Sequence, residues 1–216
     1  MTTIRIDGPI VSKDDAWIYD FFGMSCTCLT KIADALSKAN GDDVVIEINS
    51  PGGDLFEATD IYEKIRGYAG NVKIKVIFAA SAASIIACAA KSEISPTGMM
   101  MIHNVSSYAE GNYQDMAHES EVLLKASQAV SKAYEIKTGM TQKELIELMD
   151  KETYLTADEA VKLGFIDEIS NTENSKSTIK LAAAMSGLLP EKTIKKMQNQ
   201  KAKLKCQLDL LSLRRV

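Results

Sequence analysis

The chain has 216 residues, and 46% of them are hydrophobic, which is enough for one globular domain with a substantial core. The formal net charge of −4 identifies no class of partner, and no run approaches the ~20 apolar residues of a membrane-spanning helix. The charge is uneven: residues 171–216 hold ten Lys/Arg and three Asp/Glu, a net +7, whereas residues 1–170 hold 15 and 26, a net −11. We therefore expect a soluble acidic body with a basic tail, without a membrane or nucleic-acid partner.

The cysteines and histidines predict neither a metal site nor a cofactor. Two of the four cysteines form a C-T-C pair, Cys26 and Cys28, which is too closely spaced for a zinc knuckle, and both histidines lie far from it in sequence. Residues 1–9 are short and polar, unlike a secretory signal. Reduced thiols in a cytoplasmic protein are the expectation.

Hydrophobic periods predict alternating elements over the first 170 residues. In chain order they are strand 3–10, helix 26–39, strand 43–49, helix 54–66, strand 72–78, helix 84–90, strand 99–102, helix 112–137, helix 141–149, strand 153–155, helix 156–163 and strand 165–169. Thr141 and Thr156 each precede a Glu by three residues, the spacing of a capping box. Residues 13–22 have no clear period. The alternation predicts an α/β fold with a mainly parallel sheet and flanking helices.

The composition changes after residue 170. A polar linker begins at residue 171, residues 180–189 are small and apolar, and residues 191–216 have the pattern of a basic amphipathic helix. This pattern predicts two parts, a globular domain at 1–170 and a linker with a tail at 171–216. Two interpretations of the tail stay open: it packs on the body, or it binds a partner or an acidic surface.

A small-residue segment, V-I-F-A-A-S-A-A-S-I-I-A-C-A-A at 76–90, carries the first chemical signal. It joins a predicted strand to a helix that begins at Ser84, a corner at which a serine could face a substrate carbonyl. The G-x-S-x-G pattern of nucleophile turns is absent, because Ala82 and Ile86 replace its glycines. By itself, Ser84 is as easily explained as a helix-packing residue.

Three further positions complete the chemical set that serine hydrolysis requires. His103 ends the next strand, and a diglycine at Gly52–Gly53 forms a turn from a strand to a helix, where free N–H groups could bind an oxyanion. Asp150 and Glu152 precede the strand at 153. All are at ends of elements that border one sheet, where α/β folds place their sites. Each alone has an ordinary structural explanation.

Five segments in order resemble the proteolytic subunit of the Clp protease. They are E-I-N-S-P-G-G-D (47–54), A-A-S-A-A-S (79–84), M-M-M-I-H-N (99–104), Y-E-I-K-T-G (134–139) and E-T-Y-L-T-A-D-E-A-V-K-L-G-F-I-D-E-I (152–169). The resemblance covers residues 3–170 and is identified most closely with the phage and prophage branch, whose members often mature capsids. It implies a crotonase-like α/β fold and a serine endopeptidase.

The resemblance also implies residue roles. Ser84 would attack the scissile carbonyl, and His103 would take its proton and return it to the leaving amine. The N–H groups of Gly53 and Ile85 would hold the oxyanion. The family has Gly where Ala80 stands and Met-Gly where Ile85 and Ile86 stand.

The third triad member of the family is an Asp, and its position corresponds to Glu152 here. A Glu can orient the histidine, although its side chain is one methylene longer. Asp150 is the alternative acid, and Glu152 is the one that we favour.

Assembly and partners follow from the resemblance as well. It implies stacked, heptameric homo-oligomeric rings, interlocked by the long helix 112–137, that degrade peptides or unfolded proteins in a bacterial or phage-infected cytoplasm. The chain begins almost at its first strand, without the segment that contacts an ATP-driven unfoldase in housekeeping members. That start argues against an unfoldase partner, and the two candidate partners are an ATP-driven unfoldase and a capsid or scaffold protein. No Walker A motif occurs, so ATP would be used only by a partner.

Two alternatives from other classes stay open. One is a ring or capsid assembly factor with a degenerate site, which the Glu152 replacement favours. The other is an acyl-CoA enzyme of the crotonase type, which uses paired N–H groups without a Ser-His-acid set.

Overall fold

The computed structural model describes residues 1–170 and 189–213. In chain order its elements are β1 (Thr2–Asp7), α1 (Ala16–Phe21), α2 (Leu29–Ala39), β2 (Val44–Ser50), α3 (Leu55–Arg66), β3 (Val72–Ala80), α4 (Ala82–Ala87), β4 (Lys91–Ile102), α5 (Tyr113–Thr138), α6 (Gln142–Asp150), β5 (Thr153–Thr156), α7 (Ala157–Lys162), β6 (Glu168–Ile169) and α8 (Glu191–Leu213). The predicted α/β class is confirmed. The predicted linker and apolar segment at 171–188, and the last three residues, lie outside the described residues.

One six-stranded sheet organises the domain. Its order is β1-β2-β3-β4-β5, with β6 paired to the first part of β4. All pairings are parallel except that of β4 with β5. Parallel strands carry their carboxyl ends at one edge, so β2, β3 and β4 bring Ser50, Ala80 and Ile102 to the same side of the sheet.

Several element boundaries differ from the predicted ones. β3 continues through the small residues to Ala80, and α4 therefore begins at Ala82 rather than at residue 84. β4 begins at Lys91, eight residues before the predicted strand, because the interruption at Pro96 and Gly98 hides its first half. The β3–β4 register shifts between Val76 and Phe78 to accommodate that interruption. The unassigned residues 13–22 contain α1.

The core lies between the strands and the helices that cover them. Fully buried aliphatic side chains come from both: Ile46, Ile74, Ile94, Ile61, Ile86 and Leu145. The predicted capping boxes that begin α6 and α7 at Thr141 and Thr156 are both formed. These caps satisfy N–H groups that the helix itself leaves free.

The long helix α5 packs on the body with only part of its length. The helical period of its sequence predicts a buried stripe that comprises Met116, Leu123, Ala126, Val130 and Ala133. The fully buried residues of α5 begin only at Ser127, and Met116 is exposed. The prediction of a stripe buried along the whole helix is thus wrong for its first half. Sequence period reports an apolar face but not what covers it.

Helix α8 contacts the body through α1. Gln198 Nε2 donates to Asp15 Oδ1 at 2.6 Å, and the Lys201 ammonium lies 4.6 Å from the centre of the Trp17 ring. The Leu189 N–H donates to the Tyr19 hydroxyl at 2.9 Å. Of the two interpretations of the tail, these contacts favour packing on the body for its described part.

Among the described residues, no helix combines the length and the apolar character that crossing a bilayer requires.

Candidate active site

Ser81 occupies a sharp turn between β3 and α4. Its backbone has φ 54° and ψ −127°, a conformation that non-glycine residues rarely adopt. The Ser81 N–H donates to the Met101 carbonyl of β4 at 2.9 Å, which anchors the turn to the neighbouring strand. Such a turn lifts a side chain out of the end of the sheet, as in the nucleophile turns of α/β hydrolases.

His103 follows the last residue of β4 and reaches this turn. The register pairs Ala80 with Met101, so the residues that follow each strand emerge side by side. His103 Nε2 lies 2.7 Å from the Ser81 hydroxyl oxygen, a hydrogen-bond distance. The arrangement is that of a serine beside its general base.

Ser84 does not lie beside His103, and the sequence-based expectation needs correction here. Its side chain is fully buried, and its hydroxyl donates to the Ser81 carbonyl at 2.6 Å. It also lies 2.7 Å from the Tyr134 hydroxyl of α5. The reason is helical geometry: Ser84 is the third residue of α4, where a serine hydroxyl can bond back to the preceding turn instead of facing the cleft.

The diglycine after β2 lies directly against the Ser81 turn. Gly52 has φ 89°, and a Cβ added to it would lie 2.5 Å from the Ala80 carbonyl oxygen and 2.8 Å from the Ala82 nitrogen. Gly53 has φ 145°, and a Cβ there would lie 2.1 Å from the Ile10 carbonyl oxygen. Only glycine therefore permits this close approach of two backbone segments.

The backbone donor expected at Ile85 is also displaced. Ile85 is the fourth residue of α4 and does not follow Ser81 directly, and the Ser81 carbonyl accepts from the Ser84 N–H at 2.9 Å. The N–H groups at the start of a helix are the ones left without an internal partner. Next to Ser81 that group belongs to Ala82, which lines the cleft together with Gly53.

The two candidate acids differ in their partners. Asp150, at the end of α6, accepts a hydrogen bond from Asn104 Nδ2 at 2.6 Å. Glu152 accepts one from the Tyr154 hydroxyl at 3.2 Å. Burial, together with this carboxylate, raises the pKa of Tyr154. Neither acid is hydrogen-bonded to His103 within the part of the chain that the structure describes.

Strand pairing nevertheless brings Glu152 and His103 to neighbouring chain positions. The last pair of the antiparallel β4–β5 ladder is Ile102 with Thr153, and His103 and Glu152 are the residues that lie next to this pair, outside the ladder. Glu152 also has a left-handed backbone, φ 48°, of the kind that clusters at functional sites.

A cavity of about 380 Å³ opens in front of Ser81 and His103. One wall is apolar and comes from α5: Val122, Leu123, Ala126 and Val130. Phe56 of α3 and Glu119 of α5 also line it. Its size and its largely apolar lining are suited to a peptide side chain.

Sequence reasoning missed Ser81, Ala82 and Tyr134. The tripeptide A-A-S occurs twice, at 79–81 and at 82–84, so the motif by itself fits either serine. A prediction that extended β3 by two residues would have found Ser81 at the corner. No local signal identifies Tyr134, because its contact with α4 spans 50 residues of sequence.

No cluster of three or more His, Cys, Asp or Glu side chains that could hold an ion occurs among the described residues.

Comparison with known proteins gives a consistent result. A family model described as Clp protease matches residues 26–173. The proteolytic subunit of the ATP-dependent Clp protease of Huperzia lucidula is 31% identical over 144 residues, which cover 63% of this chain and 68% of that protein. Proteolytic subunit 2 of Frankia casuarinae is 28% identical over 137 residues, covering 62% and 63%. The chain therefore spans about two thirds of the length of these two relatives.

Proposed function

The chain belongs to the Clp protease family of serine-type peptidases, and on that premise we propose that it is a serine endopeptidase with Ser81 as nucleophile and His103 as general base. The 2.7 Å contact between Ser81 Oγ and His103 Nε2 carries this proposal. It replaces Ser84 by Ser81 in the expected set of catalytic residues, whereas His103 keeps its expected role.

The chemistry follows from these two side chains. Ser81 Oγ attacks the scissile carbonyl while His103 Nε2 accepts its proton, and the imidazolium then gives that proton to the leaving amine. A water molecule attacks the resulting ester, again with His103 as base, and Ser81 regains its proton from the imidazolium. Both steps need His103 in its neutral form at the start.

The backbone N–H groups of Gly53 and Ala82 form the proposed oxyanion hole. Both residues line the cavity, and the glycine turn touches the Ala82 nitrogen closely enough to exclude any side chain. Fixed donors of this kind stabilise the negative charge that develops in the transition state, typically by about 2.7–4 kcal/mol for each donor.

Glu152 is the proposed third member of the triad. Its place next to the last β4–β5 pair, as His103 is on the other strand, and its left-handed backbone support this choice over Asp150, whose carboxylate is bonded to Asn104. In this arrangement the Glu152 carboxylate gives up its hydrogen bond with the Tyr154 hydroxyl and instead accepts one from His103 Nδ1.

The proposed assembly is a stacked-ring homo-oligomer, with heptameric rings as the family resemblance implies. The first half of α5 supports it, because Tyr113 and Leu124, which project from the same side of the helix, are exposed there. Peptides and unfolded or co-enclosed proteins would be the substrates of such a chamber. An ATP-driven unfoldase or a capsid or scaffold protein would deliver them.

A physiological role in phage or prophage capsid maturation is proposed only from the sequences of two segments, A-A-S-A-A-S (79–84) and E-T-Y (152–154). Its test is incubation of a purified capsid–scaffold precursor with the parent and with Ser81→Ala. Cleavage by the parent only would support the role. Intact precursor beside a readily cleaved unfolded protein would contradict it.

The nucleophile is tested by labelling with a fluorophosphonate probe and locating the label by fragment mass spectrometry. We expect the label on Ser81 of the parent, none on Ser81→Ala, and slower labelling of Ser81 in Ser84→Ala. A label on Ser84 would overturn the assignment. A folded parent that takes no label would favour the assembly-factor alternative, and turnover of an acyl-CoA thioester would favour the crotonase-type one.

A further inference from the structure

Behind the Ser81 turn lies a buried pair of hydroxyl groups that the proposed reaction does not use. The side chain of Ser84 is fully buried, and Tyr134 is nearly so. Ser84 Oγ lies 2.6 Å from the Ser81 carbonyl oxygen and 2.7 Å from the Tyr134 hydroxyl. The Tyr134 ring packs edge to face on Phe165 at 5.5 Å, which fixes its position.

The direction of these hydrogen bonds is determined by counting protons. A serine hydroxyl has one proton, and here it is donated to a carbonyl, which can only accept. Tyr134 must therefore donate to Ser84. Burial raises the pKa of the Tyr134 phenol, so the donor keeps its proton at any physiological pH. The order is Tyr134 O–H to Ser84 Oγ, and Ser84 O–H to the Ser81 carbonyl.

The carbonyl that receives this chain belongs to the peptide unit between Ser81 and Ala82. A trans peptide is planar, and its C=O and N–H point in opposite directions. The bond from Ser84 on the carbonyl side therefore sets the direction of the Ala82 N–H on the cleft side. The Ser84 N–H adds a second bond to the same carbonyl at 2.9 Å.

We propose that Ser84 and Tyr134 are positioning residues, which hold the Ser81–Ala82 peptide in its strained conformation and thereby aim the Ala82 N–H at the oxyanion. The inference rests on the proposed roles of Ser81 and Ala82. It gives a role to a hydroxyl that is fully buried and does not face the cavity. It also ties the geometry of the nucleophile turn to α5, the helix that forms the wall of the cavity.

Kinetics with a fluorogenic peptide test the proposal. We expect Ser84→Ala to lower kcat roughly 10- to 100-fold and Tyr134→Phe roughly 10-fold, with KM changed less than about 2-fold, because small misplacements act on the transition state. The double variant should be no slower than Ser84→Ala, since both residues act through one chain of hydrogen bonds. Ser84→Thr, which keeps the hydroxyl, should recover part of the loss.

Matched controls separate positioning from simple loss of a buried hydroxyl. Ser131 is also fully buried on α5 and bonds to Gln128, and Tyr62 is buried on α3 and bonds to Arg66. Ser131→Ala and Tyr62→Phe should leave kcat within about 2-fold of the parent. Equal losses in these controls, or strictly additive losses in the double variant, would overturn the proposal.

Amide hydrogen exchange gives a readout that does not depend on activity. Ser84→Ala should raise exchange in the peptide that covers residues 79–86 roughly tenfold, and Ser131→Ala should not. Unchanged exchange in Ser84→Ala would overturn the inference and leave the proposed function intact. An unchanged kcat in Ser84→Ala would do the same, provided that the parent is labelled on Ser81. An unlabelled parent would instead overturn the proposed function. Amide hydrogen exchange would still decide whether Ser84 holds the Ser81–Ala82 peptide unit in place.

Discussion

At the scale of single residues, the first question is whether Glu152 or Asp150 is the acid of the proposed triad. Glu152 and His103 each lie next to the last β4–β5 pair, whereas the Asp150 carboxylate accepts a hydrogen bond from Asn104. We expect Glu152→Gln to lower kcat roughly 100-fold, because an amide can neither fix the imidazole tautomer nor stabilise the imidazolium. Asp150→Asn, the matched control, should stay within about 3-fold of the parent. The reverse order in peptide kinetics would assign the role to Asp150.

The glycine turn supplies a second prediction at the residue scale. A methyl group at Gly52 would press on Ala80 and Ala82, whereas at Gly23, φ 65°, it would meet nothing within 4 Å. Gly52→Ala should therefore abolish peptidase activity and lower the free energy of unfolding by about 2–4 kcal/mol. Gly23→Ala incurs only the backbone strain, about 1–2 kcal/mol, and should keep its activity. An active, stable Gly52→Ala variant in denaturant titration and peptide assays would contradict the described approach.

At the scale of secondary-structure elements, the Asp167 carboxylate connects α5, β4 and the start of β6. Asp167, just before β6, accepts hydrogen bonds from Lys137 of α5 and from the Ser92 N–H of β4. Burial acts to raise the pKa of Asp167, but the bonds from Lys137 and Ser92 outweigh it and hold that pKa below its usual range. This contact fixes the end of α5 against the sheet, and with it Tyr134 one turn earlier.

The depressed pKa predicts a pH dependence of stability. The carboxylate stabilises the fold fully above its unfolded pKa of about 3.9, and the contribution is lost as pH falls through the lower folded value. Asp167→Asn should therefore lower Tm at pH 7, and the difference from the parent should shrink below about pH 4. Thermal denaturation across this range measures it, with the exposed Asp60→Asn as a control of unchanged Tm. If the difference in Tm between the parent and Asp167→Asn grew as the pH fell, the predicted direction of the pH dependence would be wrong.

For the whole molecule, the uncovered half of α5 predicts self-association. Leu124 is 54% exposed there, and Leu204 on α8 is 60% exposed. We expect the parent to sediment as a large homo-oligomer and Leu124→Arg to give smaller species, because a buried unpaired charge is costly in an interface. Leu204→Arg, equally exposed on another helix, should leave the assembly unchanged. A monomeric parent at micromolar concentration would contradict the ring assembly.

The sequence by itself determined the α/β class, most of the elements and the positions of the glycine turn and His103 at strand ends. These follow from local patterns: period 2 or 3.6, capping residues, and glycines where the backbone requires them. The boundaries that failed did so where local signals are weak. In the run of alanines at 79–83, strand and helix are equally compatible with such small side chains.

Only the tertiary structure decided which serine faces His103. The two A-A-S repeats are chemically alike and adjacent in the chain, and their serines are three positions apart. The register of β3 on β4 sets where the strand ends, and that point turns Ser81 toward the cleft and Ser84 toward Tyr134. Register and the packing of α5 depend on contacts between residues far apart in sequence, which no local pattern records.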